Sequence, residues 1–182
     1  MIIDYSLTKE DFLHYLLYAE SKNKKLPKVI RQAYIWIFVA FVISALNIYN
    51  SNKFALWFFI PAFLIFVISF PFLLKWRTKS QYKKFIEENF KEKIGLNNTI
   101  EFDIDQLIIK NSVGESKINY DSFVEINEVA DYYFLKLKTL ESVIIPKSSI
   151  QNIVDFRNFV EKIKAKYNIV KNVEFDWKFN IT

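Results

Sequence analysis

Few groups in this sequence could do chemistry. His14 is the sole histidine, and cysteine is absent. That leaves no disulfide frame, no thiolate metal site, no cysteine nucleophile and no histidine cluster for zinc. Asp103 and Asp105 form a D-x-D pair of the kind that can ligate a cation. Two such carboxylates at a strand end are instead expected to be solvated turn residues. Lys147-Ser148-Ser149 sets hydroxyls beside an amine, the pairing used by Ser/Lys nucleophiles. A serine just ahead of an amphipathic run is a helix cap, and Ser149 is read that way. His14 falls in a helical pattern beside Asp11 and Tyr18. No second catalytic group has a matching spacing, so it reads as a surface or half-buried helix residue. With two glycines in the whole chain, a phosphate-cradling loop has no material. No catalytic, cofactor-binding or metal-ligating residue is predicted, no cofactor is expected, and an enzyme is not expected.

The elements around these residues say more. The chain is 182 residues long, 52% hydrophobic and 18% aromatic, yet 25% charged. Ordinary globular domains carry similar charge with fewer rings, so disorder is excluded and the apolar excess needs a place. It lies in two uncharged runs, 33–49 (AYIWIFVAFVISALNIY) and 54–74 (FALWFFIPAFLIFVISFPFLL). As helices they span about 26 Å and about 31 Å at 1.5 Å per residue, against a bilayer hydrocarbon core of about 30 Å. Neither carries the polar stripe of a soluble helix. Pro61 and Pro71 are tolerable in a span. The four polar residues Asn50-Ser51-Asn52-Lys53 allow only a tight turn. The runs therefore predict a transmembrane hairpin.

Charge placement sets the orientation. Lys22, Lys24, Lys25, Lys28 and Arg31 precede the first run, and Lys75, Arg77, Lys79, Lys83 and Lys84 follow the second. Only Lys53 lies between. Basic residues collect on the cytoplasmic side, which predicts both termini inside and the turn outside, in a multi-pass membrane protein. Lys24, Lys25, Lys28, Arg31, Lys75, Arg77 and Lys79 are the predicted membrane-surface residues, serving topology first and anionic lipid second. The bilayer is the expected partner, with a protein partner or a second copy also possible; nucleic acid is not expected. No cleavable signal peptide is read, because a polar stretch precedes the first run.

The remaining chain predicts a small α+β domain. Residues 1–7 alternate with Ile3, Tyr5 and Leu7 on one face, a short strand. Thr8 opens a helix with Glu10 and Asp11 in its first turn. Residues 80–93 continue the second membrane helix, and Gly95 stops it. From Thr99 the period changes to two, giving strands around Ile100, Leu107, Ile118, 123–129, Leu135 and 143–145. A helix follows with Ile153, Phe156, Val160, Ile163 and Tyr167 inward. Glu125 and Glu128 are expected to reach the juxtamembrane lysines. The tail alternates again through Val173, Phe175, Trp177, Phe179 and Ile181, and is expected to join the same sheet beside the N-terminal strand. The division is thus 1–32, strand and helix with basic flank; 33–74, hairpin; 75–98, juxtamembrane helix; 99–182, cytoplasmic sheet domain with helix and terminal strand.

Residues 101–163 resemble the YcxB-like family of bacterial membrane proteins. The matching parts are EFDIDQLIIKNSVGESKINYDSF, VEINEVADYYFLKL, VIIPK and the closing amphipathic helix. The resemblance implies a small antiparallel sheet, similar to bacterial pleckstrin-homology-like domains and capped by a C-terminal helix. It implies no catalytic residue. The expected function is a non-enzymatic integral membrane protein with a cytoplasmic interaction or regulatory domain. The alternatives are an immunity protein against a membrane-acting toxin, and a subunit of a transporter or membrane enzyme. The last is disfavoured because the runs hold no charge and only Ser44 and Asn47 as clearly polar groups.

Overall fold

A computed structural model describes residues 1–180. The chain divides into two compact units: Met1–Tyr15 with Phe85–Lys178, here the head, and Leu16–Lys84 with Phe179 onward, here the hairpin. Strand β1 (Ile2–Ser6) and helix α1 (Lys9–Ser21) come first, followed by the long helices α2 (Leu26–Ser51) and α3 (Leu56–Asn89). Then come β2 (Asn97–Phe102), β3 (Gln106–Lys110), β4 (Glu115–Asn119), β5 (Phe123–Val129), β6 (Tyr132–Leu137) and β7 (Ser142–Pro146). Helix α4 (Ile153–Tyr167) and strand β8 (Val170–Glu174) complete the order. The architecture is α+β, as the pattern predicts.

The head carries two four-stranded sheets rather than the single sheet expected, ordered β1-β2-β3-β4 and β7-β6-β5-β8. In β1 the alternation buries Ile3 and, just beyond its end, Leu7. Ile3 faces Ile100 in the antiparallel β1–β2 ladder. The core gathers Ile100, Phe102, Leu107 and Tyr120 with Ile126, Tyr133, Leu135 and Ile145. Helix α4 closes it through Phe156, Val160 and Ile163, the predicted inner stripe. Phe156 meets Phe102 edge-on at 5.6 Å and Tyr133 at 4.8 Å, so one ring joins α4 to strands of both sheets.

Three local expectations are corrected. Ser149 does not cap α4: residues Lys147–Ser149 form a 3₁₀ turn, and the Ser149 hydroxyl donates to the Pro146 carbonyl at 3.0 Å. The cap is Asn152, whose Oδ1 accepts from Val154 N and Asp155 N. The linker is shorter than four residues, because α2 runs through Ser51 and Asn52 turns the chain by accepting from Phe54 N at 3.1 Å. The tail strand is Val170–Glu174, and it pairs parallel with β5, from Glu125↔Val170 to Val129↔Glu174. It lies in the second sheet, away from β1. Its partner β5 ends at Val129, so the ladder has no continuation. The chain turns at Phe175, where Trp177 N donates to the Glu174 carbonyl at 3.2 Å. Ile181 of the predicted strand lies outside the described residues.

At the start of α1, Thr8 and Asp11 cap reciprocally. Asp11 N donates to Thr8 Oγ1 at 3.3 Å, and Asp11 Oδ2 accepts from Thr8 N at 2.7 Å. The other oxygen of Asp11 accepts from the Tyr132 hydroxyl at 2.6 Å. Tyr15 packs on Phe134. These contacts lay the first turns of α1 along the second sheet. Gly95 follows α3 at φ +76, which suits a residue without a side chain, and donates to the Leu7 carbonyl at 2.9 Å.

Candidate functional site

Two places collect the groups that sequence reading singled out, one in each unit. In the head it is Glu128. Strand alternation turns Glu128 to the same side as Ile126, toward α4, where the carboxylate is 2% exposed. A buried charge must be paired or it costs several kcal/mol. Here Oε1 accepts from Tyr133 Oη at 2.8 Å, Lys147 Nζ at 3.1 Å and Arg157 Nη2 at 3.1 Å. Oε2 lies 3.3 Å from Lys171 Nζ. Lys171 also reaches Glu161 at 2.8 Å. The three cations come from three places in the chain: the turn after β7, helix α4 and strand β8. Lys147 Nζ also sits over the rings of Tyr133 and Phe175, at 5.0 and 4.7 Å from their centroids.

The electrostatics follow from this geometry. Burial pushes the Glu128 carboxyl upward. The Tyr133 hydroxyl, the Lys147 ammonium and the Arg157 guanidinium outweigh it and hold the group below its ordinary 4.5. Burial likewise pushes the Tyr133 phenol up to about 12, with the Arg157 bond opposing and the Glu128 bond adding to the rise. The cluster is therefore a fixed carboxylate under several cations. It ties β5, β6, α4 and β8 together.

Glu125 and Glu128, the residues expected to reach the juxtamembrane lysines, both have partners within the head. Glu125 pairs with Lys136 across the β5–β6 ladder, and Glu128 is sequestered as described. A sequence signal for Glu128 did exist: it sits in phase with inward-facing Ile126 in a period-two strand. Asp105 of the D-x-D pair accepts from Lys166 at 2.7 Å and from the Tyr167 hydroxyl at 3.1 Å. Those two bonds, the lysine first, hold its carboxyl below the usual range. Asp103 Oδ2 lies 3.5 Å from Gln106 Nε2. His14 is exposed, with its ring 5.5 Å from that of Tyr132.

In the hairpin the two long helices meet along aromatic side chains. Phe41 stacks on Phe63 at 4.0 Å and on Phe59 at 5.4 Å, and Tyr34 meets Phe70 edge-on at 5.3 Å. No large apolar side chain of α2, or of α3 as far as Lys84, is buried; Trp36, Trp57 and Trp76 are 71%, 78% and 71% exposed. Residues 32–52 and 54–74 are both free of charge and equal in length. The first run therefore gains from its helical continuation what it lacks in apolar residues. Lys28 and Arg31 lie in the first turns of α2, with Lys24 and Lys25 in the turn before it; Lys75, Arg77 and Lys79 lie along α3. Carrying the Tyr34–Phe70 register down the antiparallel pair sets Lys28 level with Trp76. Between residues 16 and 84 the sole acid is Glu20, whose carboxylate accepts from the Tyr82 hydroxyl at 2.8 Å.

Both long helices are long and apolar enough to cross a membrane: an 18-residue stretch within Leu26–Ser51 has mean hydropathy 1.9, and one within Lys53–Asn89 has 2.4. The sequence model of the family described as YcxB-like protein matches residues 102–160, from the end of β2 into the middle of α4. That segment holds Glu128, Tyr133, Lys147 and Arg157. No curated protein and no solved structure matches the chain.

Proposed function

We propose that this is a non-enzymatic integral membrane protein of a bacterial plasma membrane. Its hairpin crosses the bilayer twice, and its pleckstrin-homology-like head works in the cytoplasm as an interaction or regulatory module. One observation carries the reading. Strand β1 precedes the two long helices and β2 follows them, yet they form one ladder. A chain whose flanking strands pair can cross a membrane only an even number of times between them. It has two helices fit to do so, both with exposed apolar surface. In lipid that surface is solvated; in water so large an exposed apolar area drives association.

Further support comes from dimensions and charge. Trp57 and Trp76 are about 28 Å apart along α3 at 1.5 Å per residue, which suits two interfacial belts. The basic residues Lys24, Lys25, Lys28, Arg31, Lys75, Arg77 and Lys79 flank the helix ends away from the turn. In the head, the titratable groups that the fold gathers around Glu128 and Asp105 are joined in ion pairs between elements. That is what a rigid binding module requires.

The test uses the absence of native cysteine. In intact cells, Ser51→Cys is expected to react with a membrane-impermeant thiol reagent, and Ser116→Cys only after lysis. Labelling of Ser116→Cys before lysis overturns the orientation. Monodisperse protein in buffer without detergent overturns the membrane reading itself.

A further inference from the structure

The ends of the hairpin helices away from the turn carry cations that the fold leaves uncompensated. Lys28 and Arg31 lie in α2, and Lys75, Arg77 and Lys79 lie in α3. The ring contacts Tyr34–Phe70 and Phe41–Phe63 fix one and the same antiparallel register. It sets Arg31 level with Leu73, Lys28 with Trp76 and Val29 with Lys75. All five cations therefore fall within about 9 Å along the helix axes, at 1.5 Å per residue. The polar layer of one bilayer leaflet is about 5–8 Å thick. In the head, Lys110, Lys147 and Lys166 each meet a carboxylate. In this band, among the described residues, none of the five does. Glu20, the sole acid between residues 16 and 84, is held by the Tyr82 hydroxyl, and Glu87 pairs with Lys9. Lys28, Arg31 and Arg77 are exposed, while Lys75 and Lys79, one turn apart on one face of α3, are half-buried. A partly desolvated ammonium without a counterion is costly, so the band calls for an anion.

We infer that this band binds anionic phospholipid headgroups, in preference to zwitterionic ones, in the leaflet it enters. Lipid is the occupant because the uncharged stretches 32–52 and 54–74 both end at the band, which sets it at the edge of the hydrocarbon. Trp76 stands at the same level, 71% exposed, and indole favours that layer. Phosphodiester oxygens accept charge-assisted bonds from ammonium and guanidinium groups. A zwitterionic headgroup brings its own cation and leaves the charge of the band standing. The opposite end of the hairpin has Lys53 alone, with its ammonium over the Tyr49 ring, and does not select. The inference rests on the membrane reading above and adds a partner to it.

The experiment reconstitutes the full-length protein in phosphatidylcholine vesicles containing one-fifth phosphatidylglycerol, with flotation to report insertion. Two variants each keep one tryptophan, Trp76 or Trp57, with the others changed to Phe. Brominating the acyl chains of one lipid at a time makes it a contact quencher. At Trp76, phosphatidylglycerol is expected to be enriched about fivefold over its bulk share, the effect of a single basic residue near a surface. The enrichment is expected to shrink in high salt. At Trp57 the lipid is expected to stay near its bulk share. Changing all five cations to Gln is expected to abolish the enrichment at Trp76 in protein that still floats, and changing the three lysines to Arg is expected to keep it. Wild-type protein extracted into mild detergent is expected to retain phosphatidylglycerol above its share of the vesicles. Bulk-like quenching at Trp76, equal enrichment at Trp57, or enrichment that survives loss of the five charges overturns the headgroup site and leaves the membrane reading intact. Failure to float overturns both.

Discussion

The Glu128 carboxylate lies 3.1 Å from the Lys147 ammonium at a position 2% open to solvent. Removing the charge leaves Lys147, Arg157 and Lys171 facing one another across a neutral amide. Breaking a buried ion pair costs about 3–5 kcal/mol, and the partial exposure of Arg157 moves the expectation to the lower end. Glu128→Gln is expected to destabilise the head by about 3 kcal/mol, read by urea denaturation in detergent with tryptophan and near-ultraviolet signals. A loss below about 1 kcal/mol would show that the cluster does not hold the fold.

Acid should act through the same group. The folded carboxyl titrates below its ordinary 4.5. Its contribution to stability is therefore complete above that value and declines as pH falls toward the lower folded value. Wild-type unfolding free energy is expected to fall below about pH 4.5, with part of that slope missing in Glu128→Gln. Equal slopes in the two proteins would assign acid sensitivity to other carboxylates.

Ile3 is 3% exposed and faces fully buried Ile100. Ile3→Asp removes a core side chain and buries a charge among apolar residues, mechanisms that each cost several kcal/mol. The expected loss is about 4 kcal/mol or more. Hydrogen exchange at the β2 amides should rise in parallel. Unchanged β2 protection would mean that the second strand does not depend on the first.

The basic residues should set topology. Substituting Lys24, Lys25, Lys28, Arg31, Lys75, Arg77 and Lys79 by Gln, with Lys22, Lys83 and Lys84 changed likewise and Asn50→Arg added, removes the basic flank at one end and adds to the other. Surface labelling of Ser51→Cys in that background is expected to fall and that of Ser116→Cys to rise. An unaltered labelling pattern would point to another determinant of orientation.

The fold was legible wherever one period ran unbroken. The alternation from Thr99 onward and the inward stripe of α4 each match an element. Sequence reading failed where a local signal lost to a long-range one. The alternation of Val173, Phe175 and Trp177 reads as one strand, but the length of β5 cuts it at Glu174. Ser149 has the chemistry of a cap, yet the 3₁₀ turn diverts its hydroxyl and Asn152 takes the position. Two sheets rather than one could not be read from strands that each alternate identically. The Glu128 cluster was hidden for a different reason. Its carboxylate is in phase with Ile126, but the cations that make burial tolerable lie at Lys147, Arg157 and Lys171, and only folding collects them.

The ladder between β1 and β2 also imposes an order on biogenesis. Residues Ile2–Ser6 are made before both apolar helices, and their partner strand Asn97–Phe102 only after them. Strand β1 must therefore wait, unpartnered, while both long helices are made. A ribosome stalled before residue 97 would carry a chain whose first strand still had an open edge.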